Sequence, residues 1–233
     1  MSDDLGTIAY FSSLVYLINK PEFLDAARIV CDEFVEKQKE TPLDEIYPVI
    51  MTENLYNDPR LDDFAKYVGQ TAWNLLDSQG YDVSQLNTVF TEMWCQQHYK
   101  HSSMEQHVHG IGSQIVGFYF TKAPENCSRV VFHDPVAGRV MTGLPEKNIS
   151  DVTQASRMVN FKPEPGMLMF TNAWLPHSFT RHGNDEPELY IDDFYGEIEQ
   201  TNNFDYEGFH DIDDSELTEN TFDDAVEWYA VND

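Results

Sequence analysis

Hydrophobic residues recur at helical spacing twice in the first half of the chain. In residues 21–40 (PEFLDAARIVCDEFVEKQKE), Phe23, Ala26, Ala27, Val30, Phe34 and Val35 share one face of a 3.6-residue repeat, and Pro21 suits a first turn. The spacing predicts one amphipathic helix. After Asp58-Pro59, Leu61, Phe64, Ala65, Val68, Ala72, Leu75 and Leu76 make a second stripe that stops near Gly80. Residues 1–88 are therefore expected to be mostly helical support.

From Val89 the pattern changes to short β-prone runs: VFTEMWCQQ, SQIVGFYFTK, SRVVFHD, RMVNF, GMLMFT, HSFTRHG and ELYIDDFYGEI, separated by Pro, Gly, Asn and Asp. Short strands with no helices between them predict an antiparallel sandwich or barrel over 89–200, not βαβ units. The connection from Val136 to Ser156 is longer and holds Gly138, Gly143 and Pro145, and loops of that length often carry function. Residues 201–233 form an acidic tail in which SELTENTFDDAVEWYAV reads as one helix, with Phe222, Val226, Trp228 and Tyr229 as docking residues.

Composition narrows the function classes. A chain of 233 residues that is 41% hydrophobic and 13% aromatic encloses a real core and is not disordered throughout. Its formal charge is −27, which excludes nucleic acid and anionic membrane as partners, because phosphate binding rests on Lys and Arg. After Arg181 there is no Lys or Arg, and Glu197 to Asp233 carries thirteen carboxylates. Cys31, Cys95 and Cys127 are odd in number, scattered and follow no apolar leader, so a reduced cytoplasmic compartment is expected. No run reaches the ~18 apolar residues of a membrane span. Nothing here sets the oligomeric state or chooses between a small-molecule and a protein substrate.

The chemistry lies in the histidines. His107 and His109 are separated by one residue, so on a strand both rings point to the same side and reach one metal ion. Next come a Gly-rich turn, the strand SQIVGFYFTK, a hairpin to RVVFHDP and, later, PEPGMLMFTNAWLPHSF. A PxG turn that launches an apolar strand toward a lone His, here His177, occurs where a jelly-roll sheet delivers a distal ligand beside a proximal pair. Two proximal groups and one distal group make a facial triad with open positions for substrate and dioxygen.

The run from Trp94 through His107-Val-His109, the GFYF strand, the FHDP turn and the WLPH segment resembles the 2-oxoglutarate- and iron(II)-dependent oxygenases whose motifs read HxH, SGVYY and FxDP. YFSSLVYLI resembles that family's opening strand, so the likeness covers about residues 8 to 196. The resemblance implies an α+β, mainly β fold: a double-stranded β-helix (jelly-roll, cupin-like) core with N-terminal supporting helices. It also implies iron(II), with 2-oxoglutarate and dioxygen as co-substrates, and hydroxylation of a C–H bond with release of succinate and carbon dioxide.

By matching position, His107 is the first ligand, His177 the distal one, and His109 stands where most of these enzymes have Asp or Glu. A third imidazole makes the site one negative charge poorer. Asp134 in the FHDP turn is the reserve acid, with simple Asp-Pro turn chemistry as its alternative. The family's Arg or Lys for the distal carboxylate of 2-oxoglutarate, about ten residues after the distal His, is missing: the stretch reads NDEPELYIDDFY, where Asp192 and Asp193 repel a dicarboxylate. Lys122 and Arg181 are the substitutes. Alternation places Val116, Phe118, Phe120 and Lys122 on one face of a strand and Tyr119 on the other. JmjC-like relatives carry a co-substrate lysine fifteen residues after the first ligand, which makes Lys122 the expected anchor. His98 and His101 read as polar strand or loop residues, His133 as substrate-facing or paired with Asp134, His182 and His210 as surface, and Trp94 and Trp174 as core aromatics. Two other classes compete: a cupin-like three-histidine metal dioxygenase without 2-oxoglutarate, and a degenerate barrel whose acidic tail engages a basic partner.

Overall fold

The computed structural model describes residues 11–200 except 44, 46, 47 and 111, with the backbone alone for Thr88 and residues 193–200. The acidic tail with its expected helix, His210, and the first residues of the opening strand lie outside the described residues. Pro21 opens a 3-10 turn that runs into α1 (Leu24–Gln38), which buries Ala27, Val30, Cys31 and Val35. In α2 (Asp62–Ser78) the buried residues Phe64, Val68, Ala72 and Leu76 follow one another at four-residue steps, as a single helical face requires. The turn before it is capped by the Asp58 carboxylate, which accepts from the Arg60 amide at 3.0 Å. The helix stops where Gly80 takes a positive φ of 95°.

Two strands join the helices in the first half, β1 (Val15–Asn19) and β2 (Val49–Met51). The strand-rich part comprises β3 (Leu86–His98), β4 (Met104–His107), β5 (Ile115–Lys122), β6 (Val130–His133), a short α3 (Ala137–Met141), β7 (Met158–Phe161), β8 (Met167–Asn172), β9 (His177–Phe179) and β10 (Glu188–Gln200). The six-stranded sheet runs β1-β8-β5-β10-β3-β2 and the four-stranded sheet β4-β9-β6-β7. From β3 onward the chain winds between the two sheets, and the pairings are antiparallel. This is the double-stranded β-helix expected from the sequence.

Strand alternation splits the core in two. Ile115, Tyr119, Leu168, Phe170, Leu189 and Ile191 face α1 and α2, while Val116, Phe118, Phe120, Met169, Phe179 and Tyr190 fill the space between the sheets. Each large side chain so buried stabilises the fold by about 1.5–3 kcal/mol. The turn Pro163-Glu164-Pro165-Gly166 before β8 depends on Gly166: its φ is 88°, and a Cβ there would lie 2.9 Å from Asn19 Oδ1 and 3.3 Å from the Pro21 Cα. No helix among the described residues is long and apolar enough to cross a membrane. Cys31, Cys95 and Cys127 are buried and free.

Candidate metal centre

Three imidazoles converge at one end of the barrel. His107 is the last residue of β4 and lies directly across the ladder from His177, the first residue of β9. His109 lies past the strand, so alternation does not aim it. Its backbone N–H instead donates to the Ala173 carbonyl at 3.0 Å, which pins the loop against the segment leading to β9. Ring centroids are separated by 4.4 Å (His107 and His177), 4.9 Å (His109 and His177) and 5.2 Å (His107 and His109). One nitrogen from each ring fits within a set whose members all lie within 4.8 Å of one another.

Hydrogen bonds decide which nitrogen is offered. His107 Nδ1 lies 2.8 Å from the Glu105 carbonyl and His177 Nδ1 lies 2.9 Å from the Leu175 carbonyl. A carbonyl only accepts, so each Nδ1 carries the proton and each Nε2 is left with its lone pair. His177 Nε2 is 3.0 Å from His109 Nε2. Burial, with the two neighbouring rings adding, pushes His109 down to about 2. Burial likewise pushes His177 down to about 4, helped by His107 and opposed by the Leu175 carbonyl. Converging imidazoles, two of them held by a backbone carbonyl so as to present Nε2, are the donor set a first-row divalent metal requires, so the residues fit one.

The reserve acid is engaged elsewhere. Asp134 accepts from the Val136 amide at 2.9 Å and holds the Arg139 guanidinium through Nε and Nη2 at 2.8 Å each. It performs turn chemistry. Among the described residues the candidate metal-ligand cluster is His107, His109 and His177, with no carboxylate.

Lys122 does not join the histidines. Phe118 and Phe120 point into the barrel as alternation predicts, but the β5–β10 register jumps from Tyr190 opposite Phe120 to Leu189 opposite Lys122. Thr121 is the extra residue of a bulge, so Lys122 shares the outer face with Leu189. Its ammonium pairs with Asp32 of α1 at 2.5 Å. Arg181 is exposed. No Lys or Arg is among the buried residues described.

The barrel interior holds a polar relay instead. Tyr190 donates to Gln96 Oε1 at 2.9 Å, Gln96 Nε2 donates to Asp192 Oδ2 at 2.8 Å, and His98 Nε2 lies 3.0 Å from the Tyr190 hydroxyl. Burial pushes His98 down to about 3, with His182 adding. The sequence reading missed His98 and Gln96 because QQH reads as a solvent strand, although their two-residue spacing was the available signal. His182 also differs from expectation. It is fully buried, with Nε2 at 2.8 Å from the Glu186 carbonyl and Nδ1 at 3.7 Å from Glu188, and its backbone pairs with His101 and Ser102 in the connection between β3 and β4. Trp94 is half-buried against the barrel core as expected, but Trp174 is 47% exposed. Tyr119 faces outward, and its hydroxyl donates to the Lys20 carbonyl at 2.7 Å.

Residues 92–190 match a family model described as "Putative 2OG-Fe(II) oxygenase". The matched segment runs from β3 into β10 and includes the three histidines. A prolyl-4-hydroxylase from Pseudomonas putida superposes with a TM-score of 0.54 at 10% identity, covering 80% of this chain and 94% of that one. AviO1 from Streptomyces viridochromogenes gives 0.55 at 14% identity over 79% and 90%. SnoK, a non-heme alpha-ketoglutarate-dependent carbocyclase from nogalamycin biosynthesis, gives 0.55 at 10% identity over 79% and 80%. At such identities the likeness is one of fold. No curated protein matches the sequence.

Proposed function

We propose that this protein is a non-haem iron(II)- and 2-oxoglutarate-dependent oxygenase that hydroxylates a C–H bond and releases succinate and carbon dioxide. The observation that carries this reading is the convergence of three imidazoles, two of them held to present Nε2, at the end of a double-stranded β-helix. The family match and the fold support it. SnoN, an epimerase with this fold, is described in complex with Fe3+ and alpha-ketoglutarate. When bound, iron and the 2-oxo acid supply the oxidising power that side chains lack. His107, His109 and His177 would hold the metal, and the Glu105 and Leu175 carbonyls fix two of the rings. Phe118 and Phe132, with ring centroids 5.2 and 6.2 Å from that of His177, keep water from its inner side. None of these residues acts as a base.

A second reading is a cupin-like three-histidine metal dioxygenase that uses no 2-oxo acid. It is favoured by the imidazole in place of the acid and by the lack of a buried cation among the described residues. Anaerobic reconstitution with iron(II), followed by 2-oxoglutarate titration and a succinate assay, separates the two. Iron bound together with succinate release supports the first reading. Iron bound with no affinity for 2-oxoglutarate leaves the second, and failure to bind iron sinks both.

A further inference from the structure

The segment Phe132-His133-Asp134-Pro135 closes β6, and its first three residues have different tasks. Phe132 stands across the ladder from His177, with ring centroids 6.2 Å apart. The Asp134 carboxylate accepts from the Val136 amide and holds Arg139, so it caps the following turn rather than pairing with His133. His133 turns to β9 instead. Its Nε2 lies 2.8 Å from Ser178 Oγ, and its backbone N–H donates to the Pro176 carbonyl at 2.9 Å. One residue thus grips the chain immediately before and immediately after the distal histidine.

Alternation puts this grip behind the metal centre. Val131 is directly opposite Ser178, and His133, two residues further along β6, is the diagonal neighbour of Ser178 on the same face. Phe132 and Phe179 point the other way, into the core between the sheets. His133 is outside the three-histidine cluster, and both it and Ser178 are half-buried.

A short strand with one irregular neighbour depends on such a bond. β9 has three residues, and its ladder to β4 shifts register between the Met104–Phe179 and His107–His177 pairs. Its ladder to β6 is regular from Val130 to Phe132. The β6 side therefore sets where β9 lies, and β9 sets how far His177 stands from the proximal rings. A slide or tilt of β9 would alter the 3.0 Å spacing between the Nε2 atoms of His177 and His109.

We propose that His133 is a positioning residue for the metal centre: its bond to Ser178 locks β9 against β6 and holds the His177 imidazole where the three rings share one ion. It touches neither metal nor substrate and acts through Ser178. The proposal rests on the metal-binding part of the oxygenase reading.

Cobalt(II) is the probe, because its visible absorption reports ligand geometry and its binding needs neither dioxygen nor a 2-oxo acid. Ser178→Ala removes one hydroxyl from a half-buried position and leaves the core intact. It should weaken cobalt(II) affinity about threefold to tenfold, the size of one hydrogen bond, and change the visible spectrum. His133→Ala should do the same, and the double variant should be no weaker than either single one. His133→Gln, whose amide reaches toward the same hydroxyl, should recover affinity and the wild-type spectrum. A merely structural bond would lower the denaturant midpoint and leave affinity and spectrum unchanged. That result, additive losses in the double variant, or His133→Gln as weak as His133→Ala overturns the proposal. Absence of cobalt(II) binding by the unaltered protein is a separate failure, which removes the metal centre itself and the positioning role with it.

Discussion

A single proton on each of two rings organises the histidine cluster. Because Nδ1 of His107 and of His177 each donates to a carbonyl, replacing either ring removes a correctly aimed lone pair. His107→Ala and His177→Ala should each lose most of the iron bound after anaerobic reconstitution, read by elemental analysis, with an unchanged circular dichroism spectrum for the half-buried His107. His109→Asp should bind iron(II) more tightly than the wild type, because a carboxylate supplies the negative charge the site lacks. Equal or weaker affinity would mean that the loop holding His109 does not let a shorter side chain reach. The buried His182–Glu188 pair gives a pH test. The neighbouring Glu188 carboxylate, 3.7 Å away, raises His182 above 6.5, and burial raises Glu188 above 4.5. Both shifts favour the protonated folded state, so the pair's contribution is full below 6.5 for the histidine and is lost as pH rises through its raised folded value. Thermal stability should fall from pH 6.5 toward 9, and Glu188→Gln should flatten that slope. His182→Ala, which leaves a buried carboxyl without its partner, should cost about 1–3 kcal/mol in denaturant unfolding.

At the level of the element, one extra residue redirects a functional expectation. Alternation read from Val116, Phe118 and Phe120 carries Lys122 into the barrel, and it holds until the bulge at Thr121 sends Lys122 to Asp32 on α1. A bulge depends on how the partner strand docks, which no local pattern states. Lys122→Ala removes an exposed ion pair and should change stability by about 0.2–1 kcal/mol, with 2-oxoglutarate affinity unaffected. The Pro165-Gly166 turn is the opposite case, where Pro and Gly announced their geometry in the sequence. Gly166→Ala should destabilise by more than about 1 kcal/mol, since the positive φ and the approach of Pro21 both resist a Cβ. An equilibrium unfolding midpoint matching the wild type would show that this turn relaxes at no cost.

Across the whole molecule, charge separates the field at long range from the field at the site. The net −27 repels an organic dianion and attracts a metal cation, whereas a metal held by the three imidazoles would present the reverse sign locally. Raising salt from about 0.01 to 0.15 M shortens the screening length from roughly 30 to 8 Å, which weakens the distant field more than the contacts. Stopped-flow association of 2-oxoglutarate should therefore speed up with salt while that of iron(II) slows. An anion rate that falls with salt would place the local field in control.

The sequence by itself determined the helical stripes, most of the strands, the barrel class and the identity of the three histidines, because period, turn residues and motif order are local properties of the chain. Tertiary structure decided the rest. It fixed His109 through a backbone bond to Ala173, committed Asp134 to Arg139, turned Lys122 outward, and buried His98 and His182. Each of these depends on which side of a strand meets which neighbour. That is set by ladder register and loop docking between residues far apart in the chain, where no repeating pattern in the sequence records it.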